Sequence, residues 1–161
     1  MTKIVLVNEN DEIIGSKERD EITRDDIHRV SALWIRSPDG KVLLAKRSST
    51  KKYDASKWGP AVTGTVDDGE SYQDNIEKEA KEELGISGLS LIIGPKLKLN
   101  PSNKLFCQWF VTMVSKDTEF KLQKEEVEEV RWFDKDKLRS MLKSHPEEFT
   151  TSMNSYIKMF I

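Results

Sequence analysis

A chain of 161 residues, 37% hydrophobic and 34% charged, is long enough to bury one core and carries a dense charged surface. Its formal net charge of -2 leaves no global basic field to gather nucleic acid, and its one cysteine, Cys107, excludes an internal disulfide and a zinc cluster. No run approaches membrane-spanning length and the start, MTKIVLVNENDE, holds too short an apolar stretch for a signal peptide, so a cytoplasmic location is expected.

In chain order, Ile4–Val7 reads as a strand, NEND as a turn and EIIG as a second short strand, which together make a hairpin. Ser16–Asp26 is polar and reads as a surface connection. Val30–Arg36 (VSALWIR) and Lys41–Lys46 (KVLLAK) are strands joined by the turn SPDG, a second hairpin. Ser48–Lys57 is a lysine-bearing loop. Trp58–Val66 reads as one short strand interrupted by glycine. DDGES then turns into a helix, with Ser71 as N-cap, Asp74 three residues on as a partial capping box, and Gly85 as the stop after Leu84. Leu89–Ile93 and Leu105–Val114 are expected strands, and Val130–Phe133 a shorter one. Cys107 lies in the apolar run LFCQWFV, where it serves as a small buried hydrophobe. Asp134 caps a helix through Leu142. A final helix starts near Pro146 and carries Phe149, Met153, Tyr156, Ile157 and Phe160 at helical spacing. Strands with interspersed helices and no regular βαβ alternation predict an α/β/α sandwich around a mixed sheet.

The chemistry concentrates on the first helix. Glu79, Glu82 and Glu83 stand at i, i+3 and i+4 and share one helical face. Like charges that close repel by a few tenths of a kcal/mol per pair, a cost that a cation offsets. Hard carboxylate oxygens select Mg²⁺ or Mn²⁺. Taken alone, EKEAKEE also suits a solvated helix face, with Glu77–Lys81 and Lys78–Glu82 as surface pairs. Trp58 offers either a ring to stack on a base or a side chain for the core. KEEVEEVRWF is a second acidic segment that includes a short strand and by itself reads as a solvated acidic loop.

The stretch GTVDDGESYQDNIEKEAKEELGI, from Gly64 to Ile86, resembles the Nudix box, G-x5-E-x7-R-E-U-x-E-E-x-G-U, where U is bulky and apolar. Gly64, Glu70, Glu79, Glu82, Glu83, Gly85 and Ile86 match. Lys78 stands where the box has arginine, and Ala80 is smaller than the usual apolar residue. The resemblance implies a Nudix-type α/β fold. It implies a metal site at Glu79, Glu82 and Glu83 with Gly64 beside it, and a further glutamate, Glu126 or Glu129, as metal ligand or base. In that family the arginine orients a catalytic glutamate. Lysine keeps the charge and loses the bidentate fork. One domain over 1–161 is expected: an N-terminal hairpin extension at 1–28, a core at 30–133 and C-terminal helices at 134–161.

VNENDEIIG, IHRVSALWI, LLAKRSSTKKYDASKWG and HPEEFT are similar to a narrower branch, the Nudix proteins related to type 1 isopentenyl diphosphate isomerase. That resemblance implies diphosphate contacts at Arg47 and Lys51. The isomerase carries a cysteine and a metal-binding histidine on either side of the box glycine; here those positions hold Thr63 and Thr65. A hydroxyl is a poor substitute for either group. His28 matches an isomerase histidine but stands alone. The expected activity is Mg²⁺-dependent hydrolysis of a phosphoanhydride in a nucleoside diphosphate linked to another group, with Glu79, Glu82, Glu83 and Glu126 catalytic and Arg47, Lys51 and Trp58 binding substrate. An isomerase-like enzyme and a non-catalytic nucleotide-binding module are the alternatives. The expected partner is a small-molecule diphosphate.

Overall fold

A computed structural model describes residues 2–99 and 104–161. The N-terminal hairpin forms as expected. Strand β1 (Ile4–Val7) pairs antiparallel with β2 (Ile13–Lys17). The turn is held by Asn8, whose Oδ1 accepts from the amides of Asn10 and Glu12 at 2.9 and 3.0 Å. A 3₁₀ turn at Arg19–Glu21 leads into β3 (Ile27–Arg36), and SPDG closes the hairpin to β4 (Val42–Arg47) with Gly40 at φ 84°.

Trp58–Val66 makes two strands rather than one. β5 (Trp58–Pro60) pairs with β4, and β6 (Val62–Thr65) pairs with β3. The break falls at Ala61, after Pro60, which has no N–H to continue a ladder. Helix α1 (Tyr72–Leu84) begins and stops where the sequence says. Ser71 and Asp74 make both bonds of a capping box, and Gly85 takes the left-handed conformation at φ 69°.

β7 (Ile92–Leu99) lies further along the chain than the expected strand at Leu89–Ile93. Leu89 and Leu91 pack down on the core, while Ile92, Ile93 and the alternating KLKL make the ladder with the next strand. β8 (Leu105–Met113) runs parallel to β3 from His28↔Leu105 to Arg36↔Met113. β9 (Val127–Phe133) starts three residues earlier than expected, because β4 pairs with it all the way to Arg47↔Val127. Asp134 caps α2 (Lys135–Ser144) through bonds from the amides of Asp136 and Lys137. Pro146–Glu148 is only a 3₁₀ turn. Phe149 is extended and buried, bridging to Trp58, and α3 (Met153–Phe160) follows. A ring that must reach the core there pulls the chain out of helix.

Among the described residues the strands form one nine-stranded mixed sheet, with β3 bonded to β1, β4, β6 and β8. Alternation along β3 assigns the layers. Ala32 and Trp34 face a core closed by α2 and α3; Leu33 and Ile35 face a core closed by α1. Both faces are covered, so the expected α/β/α sandwich around a mixed sheet is the observed architecture. Cys107 is buried in the α2/α3 layer, and burial pushes its thiol up to about 12. The hairpin β1–β2 is stitched to the loop before α1: Asp68 N donates to Lys3 O at 2.7 Å and Val5 N to Val66 O at 3.3 Å. No helix among the described residues is long and apolar enough to cross a membrane.

Candidate active site

Ile76, Ala80 and Leu84, one turn apart and fully buried, pin α1 to the sheet. That orientation turns the acidic face toward β6. Glu83 is 9% exposed, Glu79 is half-buried and Glu82 is open to solvent. Gly64 on β6 lies directly under Glu79: a Cβ there would collide with Glu79 Cγ and stand 2.7 Å from its Cδ. The small box position at Ala80 is fully buried, as its place in the apolar stripe requires.

The loop before α1 is tied to the helix by a partly buried polar network. Lys78 Nζ lies 2.8 Å from Asp67 Oδ2 and 2.6 Å from Glu70 Oε1. Glu70 Oε2 accepts from the Asp67 amide and from Asn75 Nδ2, both at 3.1 Å. Asn75 Nδ2 also donates to Thr65 O at 2.9 Å, and its Oδ1 accepts from Ser31 Oγ. Burial works against ionisation of Glu70, but these donors outweigh it and hold its carboxyl below the ordinary range.

A cleft of about 670 Å³ opens between the acidic face and the loop after β4. Glu79, Glu82, Glu83 and Glu126 border it, with Thr63, Gly64 and Thr65 along β6. Arg19, Arg47 and Lys51 supply positive charge, and Val30, Ala45 and Ala61 supply apolar wall. Burial pushes the Glu79 carboxyl up to about 7; Lys78 opposes the rise and Glu82 adds to it. Burial pushes Glu83 up to about 8, assisted by repulsion from Glu79 and Glu126 and relieved in part by Lys51 and Arg47.

These two carboxyls give a pH signature. Both bind protons more tightly folded than at the ordinary 4.5, so folding takes up protons between about pH 5 and 8 and stability falls as pH rises through that window. His28, lowered mainly by burial, works the other way below 6.5, with one group against two. In chelator the melting temperature is therefore expected to drop from pH 5 to pH 8. With Mg²⁺ present the drop should shrink, because a cation binds the ionised form. A melting temperature that rises across this window in chelator would contradict the assignment.

The residues suit a divalent cation by donor chemistry: hard oxygens, partly buried, short of compensating charge. As the side chains stand, no three acidic, histidine or cysteine groups among the described residues converge on one point, so a cation would have to draw the carboxylates in.

A family model described as the NUDIX domain matches residues 26–153. The chain belongs to the Nudix family. An uncharacterised Nudix hydrolase of Streptomyces coelicolor is 41% identical over 85 residues, 52% of this chain and 47% of that protein. The chain thus aligns with about half of that relative's length. A prenyl-diphosphate phosphatase of Methanosarcina mazei is 28% identical over 96% of this chain and 92% of its own, in keeping with the isoprenoid-related branch. A solved structure from Deinococcus radiodurans shares the fold, with a TM-score of 0.83 at 21% identity and 98% coverage of both chains.

Within the Nudix box, Lys78 grips Asp67 and Glu70 rather than any glutamate of the acidic face. Of the residues singled out from sequence, the cleft brings together Arg47, Lys51, Gly64, Glu79, Glu82, Glu83 and Glu126, along with Thr63 and Thr65. Glu129 does not join them; it pairs with Arg131 at 2.9 Å. His28 does not line the cleft. Nor does Trp58, which is 5% exposed in the α2/α3 layer, its ring edge-on to Phe133 at 5.2 Å and Arg131 over it at 4.8 Å. Trp58→Ala is expected to cost about 3–5 kcal/mol of stability in denaturant titration. Trp58→Phe should cost much less and leave turnover near its starting value. A Trp58→Phe protein that folds but loses substrate affinity would return the ring to the binding site.

Sequence reasoning missed Arg19, Gln123 and Thr150, which line the cleft from distant segments and carry no local signal. Asn75 was legible in principle: a polar amide next to Ile76 on the buried face of a helix demands partners.

Proposed function

We propose that this Nudix protein is a Mg²⁺-dependent pyrophosphohydrolase that cleaves a phosphoanhydride in a nucleoside diphosphate linked to another group. The observation that carries the reading is the meeting, in one cleft, of the acidic helix face with Arg19, Arg47 and Lys51. Mg²⁺ bound there would neutralise charge on the phosphates and lower the pKa of a water. Glu79, Glu82 and Glu83 supply its oxygen ligands, with the Gly64 backbone close by. Glu126, which also borders the cleft, would be drawn to the same cation and orient the attacking water beside it. Arg47 Nε donates to Tyr53 O at 3.2 Å, which leaves the terminal nitrogens of its guanidinium for phosphate oxygens.

One observation favours a second substrate class. No aromatic ring lines the cleft among the described residues, so no base has a ring to stack on, while Val30, Ala45 and Ala61 suit an aliphatic chain. Together with the prenyl-diphosphate relative, this supports an isoprenoid diphosphate as substrate. Hydrolysis remains the reaction, since Thr63 and Thr65 offer neither thiol nor imidazole.

The test is a substrate panel with Mg²⁺: nucleoside di- and triphosphates, nucleotide sugars, ADP-ribose, isopentenyl diphosphate and longer prenyl diphosphates. Phosphate release and product chromatography are read together. Turnover of nucleotides supports the first class and turnover of prenyl diphosphates the second. An isomerised product, or binding without turnover across the whole panel, overturns the hydrolase.

A further inference from the structure

We propose that Lys51 couples metal binding to diphosphate binding by exchanging partners: it is the counter-ion of Glu126 as the side chains stand, and it passes to the substrate phosphate when Glu126 turns to the cation. The proposal rests on the functional reading above.

Lys51 Nζ lies 2.5 Å from Glu126 Oε2, and both side chains line the cleft. Their backbones are tied together as well. Ser48 N donates to Glu126 O at 3.0 Å, and Lys51 N donates to Ser48 O at 3.2 Å. The β4–β9 ladder slips register between Lys46 and Arg47, where the loop leaves the sheet. Lys51 is thus fixed within reach of Glu126 by the chain itself.

The pair occludes both functions of its members. A carboxylate neutralised by an ammonium is a poor ligand, and an ammonium so engaged is a poor phosphate anchor. The side chains are 29% and 37% exposed, so the pair is weak and easily exchanged. A diphosphate offers Lys51 more negative charge than one carboxylate does, and a dication offers Glu126 more positive charge than one ammonium. Each ligand therefore removes the obstacle to the other, and linkage requires the effect to be equal in both directions.

The experiment is Mn²⁺ titration of the full chain, followed by the resonance of free Mn²⁺, with and without the non-hydrolysable probe methylene bisphosphonate. In the parent protein the probe should tighten Mn²⁺ binding. Lys51→Gln should bind Mn²⁺ more tightly than the parent when the probe is absent, and should lose roughly tenfold of the tightening the probe confers. Lys51→Arg should restore the parent behaviour. Glu126→Gln should bind the probe more tightly than the parent without Mn²⁺, because Lys51 is released. An unchanged probe effect in Lys51→Gln, or weaker Mn²⁺ binding by that variant alone, overturns the coupling. A parent protein that turns over substrate while Lys51→Gln shows parent coupling loses only this proposal. A parent protein that takes up no Mn²⁺ loses the hydrolase reading with it.

Discussion

Glu83→Gln is expected to lower Mg²⁺-dependent turnover by on the order of a thousandfold, about 4 kcal/mol of barrier, while making the chelated protein more resistant to heat at pH 8. The two effects share one cause. Glu83 is buried beside Glu79 and Glu126, and its carboxyl is pushed up to about 8. Ionising it costs the folded state, and glutamine of the same shape never ionises. The gain should be present at pH 8, where most of the cost is felt, and should fade below the ordinary 4.5, where the glutamate is neutral both folded and unfolded. Glu82→Gln separates the two effects. Glu82 is exposed, so its loss should cost a similar factor in turnover and move the melting temperature far less than Glu83→Gln does, only through the repulsion it exerts on Glu79. Circular dichroism on both variants checks that the fold survives. Full activity in both would remove these carboxylates from the catalytic machinery.

Gly64→Ala should cost roughly a hundredfold in turnover, because a methyl group there occupies the space of Glu79 Cγ and displaces that carboxylate by about an ångström. It should also cost about 1–3 kcal/mol of stability through overpacking. A double-mutant cycle isolates the contact. In a Glu79→Ala background the collision disappears, so the second substitution should be nearly free. If Gly64→Ala costs the same stability in both backgrounds, the glycine is required for its strand and not for its glutamate.

The parts of the site legible in the sequence are those with local causes. Ser71, Asp74 and Gly85 define α1 by backbone capping, and the i, i+3, i+4 spacing places three carboxylates on one face before any tertiary contact exists. Long-range packing settles the rest. Trp58 carries no label that distinguishes a base platform from a core ring; Phe149, about 90 positions later, bridges to it and decides the matter. Glu126 and Glu129 sit three residues apart in one acidic run, and only the register of β9 on β4 separates them. Glu129 stands opposite Lys46 on the ladder, while Glu126 falls just before the strand, in the turn that borders the cleft. Lys78 likewise found partners in the preceding loop, which box spacing alone does not give.

The central strand has a consequence for how the molecule is made. One edge of β3 is filled by β1, β6 and β4, all of which leave the ribosome within about forty residues of it. Its other edge waits for β8, about 77 positions downstream. The acidic helix and its glycine can dock early, therefore, while a nine-residue ladder stays open beside them. A nascent chain stalled in that interval presents an unpaired strand rich in tryptophan, leucine and isoleucine to its neighbours on the polysome. Slow synthesis between β6 and β8 should accordingly favour aggregation over loss of catalytic geometry.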